Sequence, residues 1–195
     1  MKANDRFQAS CKKVGYQPDI QFFPEGTKTA SDAAAAVGCD VGQIVKSLVF
    51  LTDNQPILLL VSGKNTVDQD TIKLLLNAES FEMAKPEIVR SHTGFAIGGT
   101  PPFGHTQPMQ TIMDEDLDAF DQVWAAAGTP NSSFPISPTE LRKIAGATLA
   151  TVKPKNTLTR LRRKDGDLRK PSSHSYRSRA RIRAISCTGI SETRR

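Results

Sequence analysis

The chain has 195 residues, 38% of them hydrophobic, with 12 prolines and 3 cysteines, enough for one domain with an appendage. No apolar run approaches the ~20 residues that span a bilayer, residues 1–13 hold no apolar stretch of the signal-peptide kind, and Cys11, Cys39 and Cys187 form no CxxC pair, which argues against a disulfide framework or sulfur-bound metal. The net charge of +6 hides an opposition: residues 1–152 carry 12 basic and 17 acidic side chains, net −5, and residues 153–195 carry 14 and 3, net +11. A soluble, cytoplasmic protein with no membrane partner is expected.

In chain order, Asn4 or Asp5 can cap a first helix to about Val14, which Gly15 and Pro18 stop before a short strand, Ile20 to Phe23. An alanine-rich helix from Thr29 to Val37 follows, ended by Gly38. The segments Ile44–Leu51 and Pro56–Val61 flank the turn residues Thr52, Asp53 and Asn54 and read as an antiparallel hairpin. Helical spacing returns over Val67–Leu76, with Asp68 near its start, and over Pro86–His92, with proline in the first turn and Gly94 after it. Beyond the loop GFAIGGTPPFGHTQP come a strand Met109–Met113, the acidic run DEDLDAFD, a strand-like QVWAAAG and a strand Phe134–Ile136. Ser137 caps a last helix to about Ala145, and Thr148–Val152 can close the sheet. The expectation is one α+β domain over residues 1–153. An Arg- and Ser-rich tail, 154–195, lacks the hydrophobic periodicity needed to order itself.

Two features break the pattern. Alternation puts Ile44, Lys46, Leu48 and Phe50 on one face of their strand, so a lysine interrupts an apolar row. Lys46 either guards an edge and snorkels to water or projects a cation into a pocket walled by Leu48 and Phe50, where it could hold an anion or polarise a carbonyl. The second feature is Gly98-Gly99-Thr100-Pro101-Pro102, followed by Phe103, Gly104 and His105. Its prolines lack N–H groups and its glycines admit close approach, so it is either a plain turn or a stiff loop offering donors at its glycine end. His92, His105 and His174 share no ligand spacing, and no serine sits in a GxSxG setting. Asp114, in an acidic cluster with Glu115, Asp116, Asp118 and Asp121, is a weaker candidate; such clusters are usually solvated helix starts.

Together, TKTASDAAAAVGCDVGQIVKSLVFL (residues 27–51), LLLVSG, TGFAIGGTPPFGH, IMDEDL and VWAAAG resemble the YbaK/EbsC/ProX family of aminoacyl-tRNA editing domains, which also occur inserted in bacterial prolyl-tRNA synthetases. The resemblance spans roughly residues 5–152. It implies a YbaK-like mixed sheet curled into a partial barrel with surrounding helices, and hydrolysis of the ester between a wrong amino acid and the tRNA 3'-terminal adenosine. By position it places the family lysine at Lys46 and the first glycine of the GxxxP loop at Gly98. Lys46, Gly98 and Gly99 are then the catalytic set, with Leu48, Phe50, Thr100, Pro101, Pro102, His105 and Asp114 around the substrate. The resemblance implies no metal or other cofactor; the partners are the acceptor end of mischarged tRNA and, for a free-standing member, an aminoacyl-tRNA synthetase. Some relatives carry a histidine just after the glycine matching Gly128, where this chain has Thr129, Pro130, Asn131, Ser132 and Ser133.

The leading expectation is therefore a trans-acting deacylase for Ala- or Cys-tRNA(Pro), or Ser/Thr esters. The alternatives are a non-catalytic tRNA- or synthetase-binding module of the same fold and a nucleic-acid binder driven by the tail. That tail, with Arg177, Arg179, Arg181 and Arg183, reads equally as an RNA-contacting extension or an out-of-frame read-through.

Overall fold

The computed structural model describes residues 2–24, 27 and 29–154; all of the expected tail but Pro154 lies outside these. The elements follow the predicted order. Helices α1 (Ala3–Lys13), α2 (Ala30–Val37), α3 (Gln69–Leu76), α4 (Pro86–Thr93) and α5 (Pro138–Ala145) surround strands β1 (Gln21–Phe22), β2 (Ile44–Thr52), β3 (Gln55–Ser62), β4 (Phe81–Met83), β5 (Gln110–Asp114), β6 (Val123–Ala126), β7 (Ser132–Ile136) and β8 (Thr148–Ala150).

Local chemistry sets most boundaries. The hydroxyl of Thr29 and the carboxylate of Asp32 cap the start of α2 reciprocally, and Gly38 closes it at φ +73°. Asp68 and Ser137 cap α3 and α5 through their side chains. The N-cap of α1 is Lys2 rather than Asn4 or Asp5; Asp5 sits three residues on and accepts from the Lys2 N–H. The hairpin between β2 and β3 turns on Asp53 and Asn54, both at positive φ (48° and 64°), as a tight two-residue turn requires.

The sheet has the strand order β1-β7-β6-β2-β3-β5-β8 and is mixed: β2 pairs antiparallel with β3, and β6 with β2, β3 with β5 and β5 with β8 run parallel. It stays open, with β1 and β8 at its ends. One face packs a large core around Phe7, Leu58, Leu60, Met113 and Phe134. The other face carries two smaller clusters, one around Phe50, Ile57, Leu59 and Ile72 and one around Ala34, Ile44 and Trp124.

A three-residue strand absent from the sequence reading, β4, decides where the site lies. It pairs with β2 on the edge that β6 also uses. The β6 ladder covers Ile44 and Val45, whereas the β4 ladder covers Phe50 to Thr52. Between the two ladders the edge of β2 is open, and burial follows this: Val45 and Val49 are buried, while Lys46, Ser47 and Leu48 are only partly so.

Candidate active site

A cavity of about 360 Å³ fills this notch. Lys46, Ser47 and Leu48 supply its floor, Ala30 and Ala33 of α2 one wall, and Gly98 and Thr100 of the GxxxP loop another; Trp124, Pro130 and Ser133 complete it. Among the described residues no carboxylate lines it, and Lys46 is the only charged group that does. The cavity can therefore fix an anionic or strongly dipolar group, and its described lining offers no carboxylate or imidazole for general acid or base work.

Lys46 is held rather than loose. Its Nζ donates to the carbonyl oxygens of Gly63 (3.1 Å) and Asn65 (2.5 Å). Those carbonyls lie just past β3, where Gly63 follows the strand at close quarters: a Cβ there would stand 2.1 Å from the Val41 carbonyl. Two of the three ammonium donors are thus satisfied, and among the described residues the third has no partner and is left for a ligand. Burial pushes the Lys46 pKa below the ordinary lysine value, and the charge of Asp114 opposes that shift.

Asp114 does not line the cavity. It is fully buried at the end of β5 and accepts from the Ser62 N–H, the Asn65 side-chain amide and the Asp116 N–H. Asn65 bridges onward to Asp116, which also pairs with Lys153, and the two contacts hold the Asp116 carboxyl below its usual range.

The GxxxP loop divides its work among its residues. Gly98 is exposed, has φ +84° and faces the cavity across from Pro130. Gly99 is buried, and its N–H already donates to the Ala96 carbonyl (3.1 Å). It is the contact point between the loop and Thr129, whose Cα would be only 2.7 Å from a Cβ at this position. Thr100 lines the cavity but commits its hydroxyl to the Ala96 carbonyl. Pro101 and Pro102 are buried behind the loop. His105 bonds the Pro101 carbonyl through Nε2 (2.8 Å), and its burial lowers its pKa, so it braces the loop as a neutral imidazole. Phe50 lies beyond the cavity, stacked on Phe81 of β4 at 4.6 Å.

Of the residues singled out from sequence, Lys46, Leu48, Gly98 and Thr100 meet at the cavity; Phe50, Gly99, Pro101, Pro102, His105 and Asp114 support it from outside. Of the additional lining residues, Ser47, Trp124 and Ser133 are brought there by strand pairing, and Ile97 by the loop that precedes Gly98. Where some relatives have a histidine, Thr129 bonds Asn131 and Ser132, and Ser132 accepts from Asn4. Among the described residues no group of three or more His, Cys, Asp or Glu could hold a metal ion, and no helix is long and apolar enough to cross a membrane.

Residues 24–144 match the family model described as an aminoacyl-tRNA editing domain. The chain belongs to this family. The editing domain is 43% identical to a solved structure described as a candidate trans-editing enzyme for prolyl-tRNA synthetase, with a TM-score of 0.76 over 80% of this chain and 99% of that one. It is 30% identical to the uncharacterized protein YwhH of Bacillus subtilis (strain 168), over 65% of this chain and 81% of that protein. A proline--tRNA ligase of Nitratidesulfovibrio vulgaris (strain DP4) is 32% identical over 51% of this chain, a match that spans only 17% of the ligase. These likenesses give the editing domain its YbaK-like fold and an aminoacyl-tRNA editing role.

Proposed function

We propose that this editing domain is a trans-acting deacylase that hydrolyses the ester of mischarged tRNA. Alanyl or cysteinyl groups on tRNA(Pro), or seryl and threonyl esters, are its substrate class. The observation that carries this reading is the notch itself: a small cavity with one cation, small side chains on one wall and a rigid glycine loop on another, all within the family-matched span.

The chemistry asks little of the protein. Water adds to the ester carbonyl, the tetrahedral oxyanion collapses, and the ribose oxygen leaves with a proton, giving free amino acid and deacylated tRNA. The free donor of Lys46 binds the phosphate or ribose of the terminal adenosine, and the cavity positions the ester for water. A ribose hydroxyl of the substrate can help orient that water. Synthetases reject a smaller amino acid by only ~10 to 200-fold per methylene, so a second pocket clears the errors.

A panel of Ala, Cys, Ser and Thr esters on tRNA(Pro) and on their cognate tRNAs tests this. The wild-type protein shortens the half-life of at least one mischarged ester, and Lys46→Ala abolishes that effect with the fold intact. A protein that binds charged tRNA but leaves every half-life unchanged or longer is the binding module instead.

A further inference from the structure

We propose that the open edge of β2 at Ser47 is the subsite for the aminoacyl group, which pairs with the Ser47 main chain as a one-residue strand; this rests on the editing reading above. The argument begins with hydrogen-bond parity. The Ile44 carbonyl accepts from Gly63 N–H (2.8 Å), so Ile44, Lys46, Leu48, Phe50 and Thr52 direct their main-chain groups toward β3. Val45, Ser47, Val49 and Leu51 therefore direct theirs to the opposite edge. There Val45 pairs with Ala125 of β6, Leu51 with Glu82 of β4, and the Val49 carbonyl accepts from Ala84 N–H (3.1 Å). Among the described residues, no strand residue is registered opposite Ser47 on that edge.

The side chain points to the same conclusion. The Ser47 hydroxyl oxygen is buried and has no hydrogen-bond partner. Yet Ser47 as a whole is partly exposed and lines the cavity, so its exposed surface belongs to its other atoms, the main chain among them. Among the described residues no ladder partner stands opposite the Ser47 main chain on this edge, an arrangement that is rare within a sheet, and here the gap faces the cavity in which a ligand is expected.

An aminoacyl ester fits this gap chemically. It has a donor, the α-ammonium, and an acceptor, the ester carbonyl, on either side of one carbon, as a residue in an antiparallel hydrogen-bonded pair does. In that pairing the ammonium donates to the Ser47 carbonyl, and the ester carbonyl accepts from the Ser47 N–H. The N–H is then aimed at the oxygen that becomes negative when water adds, a preorganised donor of the oxyanion-hole kind. Lys46, on the other face of the same strand, is left for the ribose or phosphate. Among the described residues no carboxylate lines the cavity to attract the ammonium, so a main-chain carbonyl is the acceptor this lining offers in its place.

Replacing the residue at 47 by the α-hydroxy acid of serine, which turns the N–H into an ester oxygen and leaves the side chain intact, tests this in the full chain. Deacylation of the best substrate in the panel should fall by about 10² to 10³, largely in kcat, with a modest fall in melting temperature because the Lys46 carbonyl, directed toward β3, becomes the weaker acceptor of an ester. Wild-type kinetics in the hydroxy-acid variant overturn the proposal. A wild-type protein inactive on every ester instead overturns the editing reading.

Discussion

Lys46 and Asp114 are joined through a single residue: the Asn65 main-chain carbonyl accepts from Lys46 Nζ (2.5 Å), while the Asn65 side-chain amide donates to Asp114 Oδ2 (2.8 Å). The one cation in the cavity is thus oriented by a carboxylate that never reaches it. Asp114→Asn replaces one accepting oxygen by a donor among three incoming N–H groups. We expect a loss of about 2–3 kcal/mol in urea denaturation and a fall in kcat of about tenfold or more, measured well below the melting temperature, because Lys46 loses its fixed position.

The same pair predicts a pH profile. Burial disfavours the Lys46 cation, so its folded pKa lies below the ordinary value of 10.5, and the Asp114 charge limits the shift. The deacylation rate, after subtraction of spontaneous hydrolysis, should lose its Lys46-dependent part at a pH below 10.5, and Asp114→Asn should move that limb lower still. In stability the sign is opposite. Between the folded pKa and 10.5 the unfolded chain binds the extra proton, so the Lys46 contribution to stability rises with pH across that window.

Lys46 stood out because a lysine breaks the apolar row Ile44, Leu48, Phe50, and Gly98 because a Gly-Gly-Thr-Pro-Pro run has few plain uses; both are local signals and both residues reach the cavity. The caps Asp68 and Ser137 and the Asp53-Asn54 turn are legible for the same reason, whereas the Lys2 cap of α1 is not. The notch is not, since it depends on β4, three residues with only Phe81 buried, whose pairing with β2 is a long-range event. That strand also explains why Phe50, on the Lys46 face by alternation, belongs to the core: β4 has joined by then and places Phe81 on it. The role of Asp114 was hidden among acidic neighbours, because only the fold buries it beside Asn65.

The two glycines of the loop should respond differently to alanine. At Gly99 a Cβ meets main-chain atoms of Thr129 and Gly128 at 2.7 to 2.9 Å, so Gly99→Ala must push the loop off the β6–β7 connection. We expect a loss of about 1–3 kcal/mol in thermal or urea unfolding. At Gly98 the nearest atom to a Cβ is 3.6 Å away, but φ is +84°, so Gly98→Ala carries about 1–2 kcal/mol of backbone strain. Its larger effect should fall on deacylation, because relaxing that strain turns the peptide that faces the cavity.

Ser47→Ala separates the hydroxyl from the strand that carries it. A buried hydroxyl with no partner gives up its hydration on folding and gains nothing in return, so its removal should leave stability unchanged or raise it, by about 1 kcal/mol at most. Most large effects of single substitutions in a core run the other way, which makes the sign informative. A melting temperature equal to or above that of the wild type fits a residue whose contribution lies in its main chain. A clear loss of stability would show that the hydroxyl has a partner in solution, such as a bound water in the notch, and would count the side chain as part of the β2 edge.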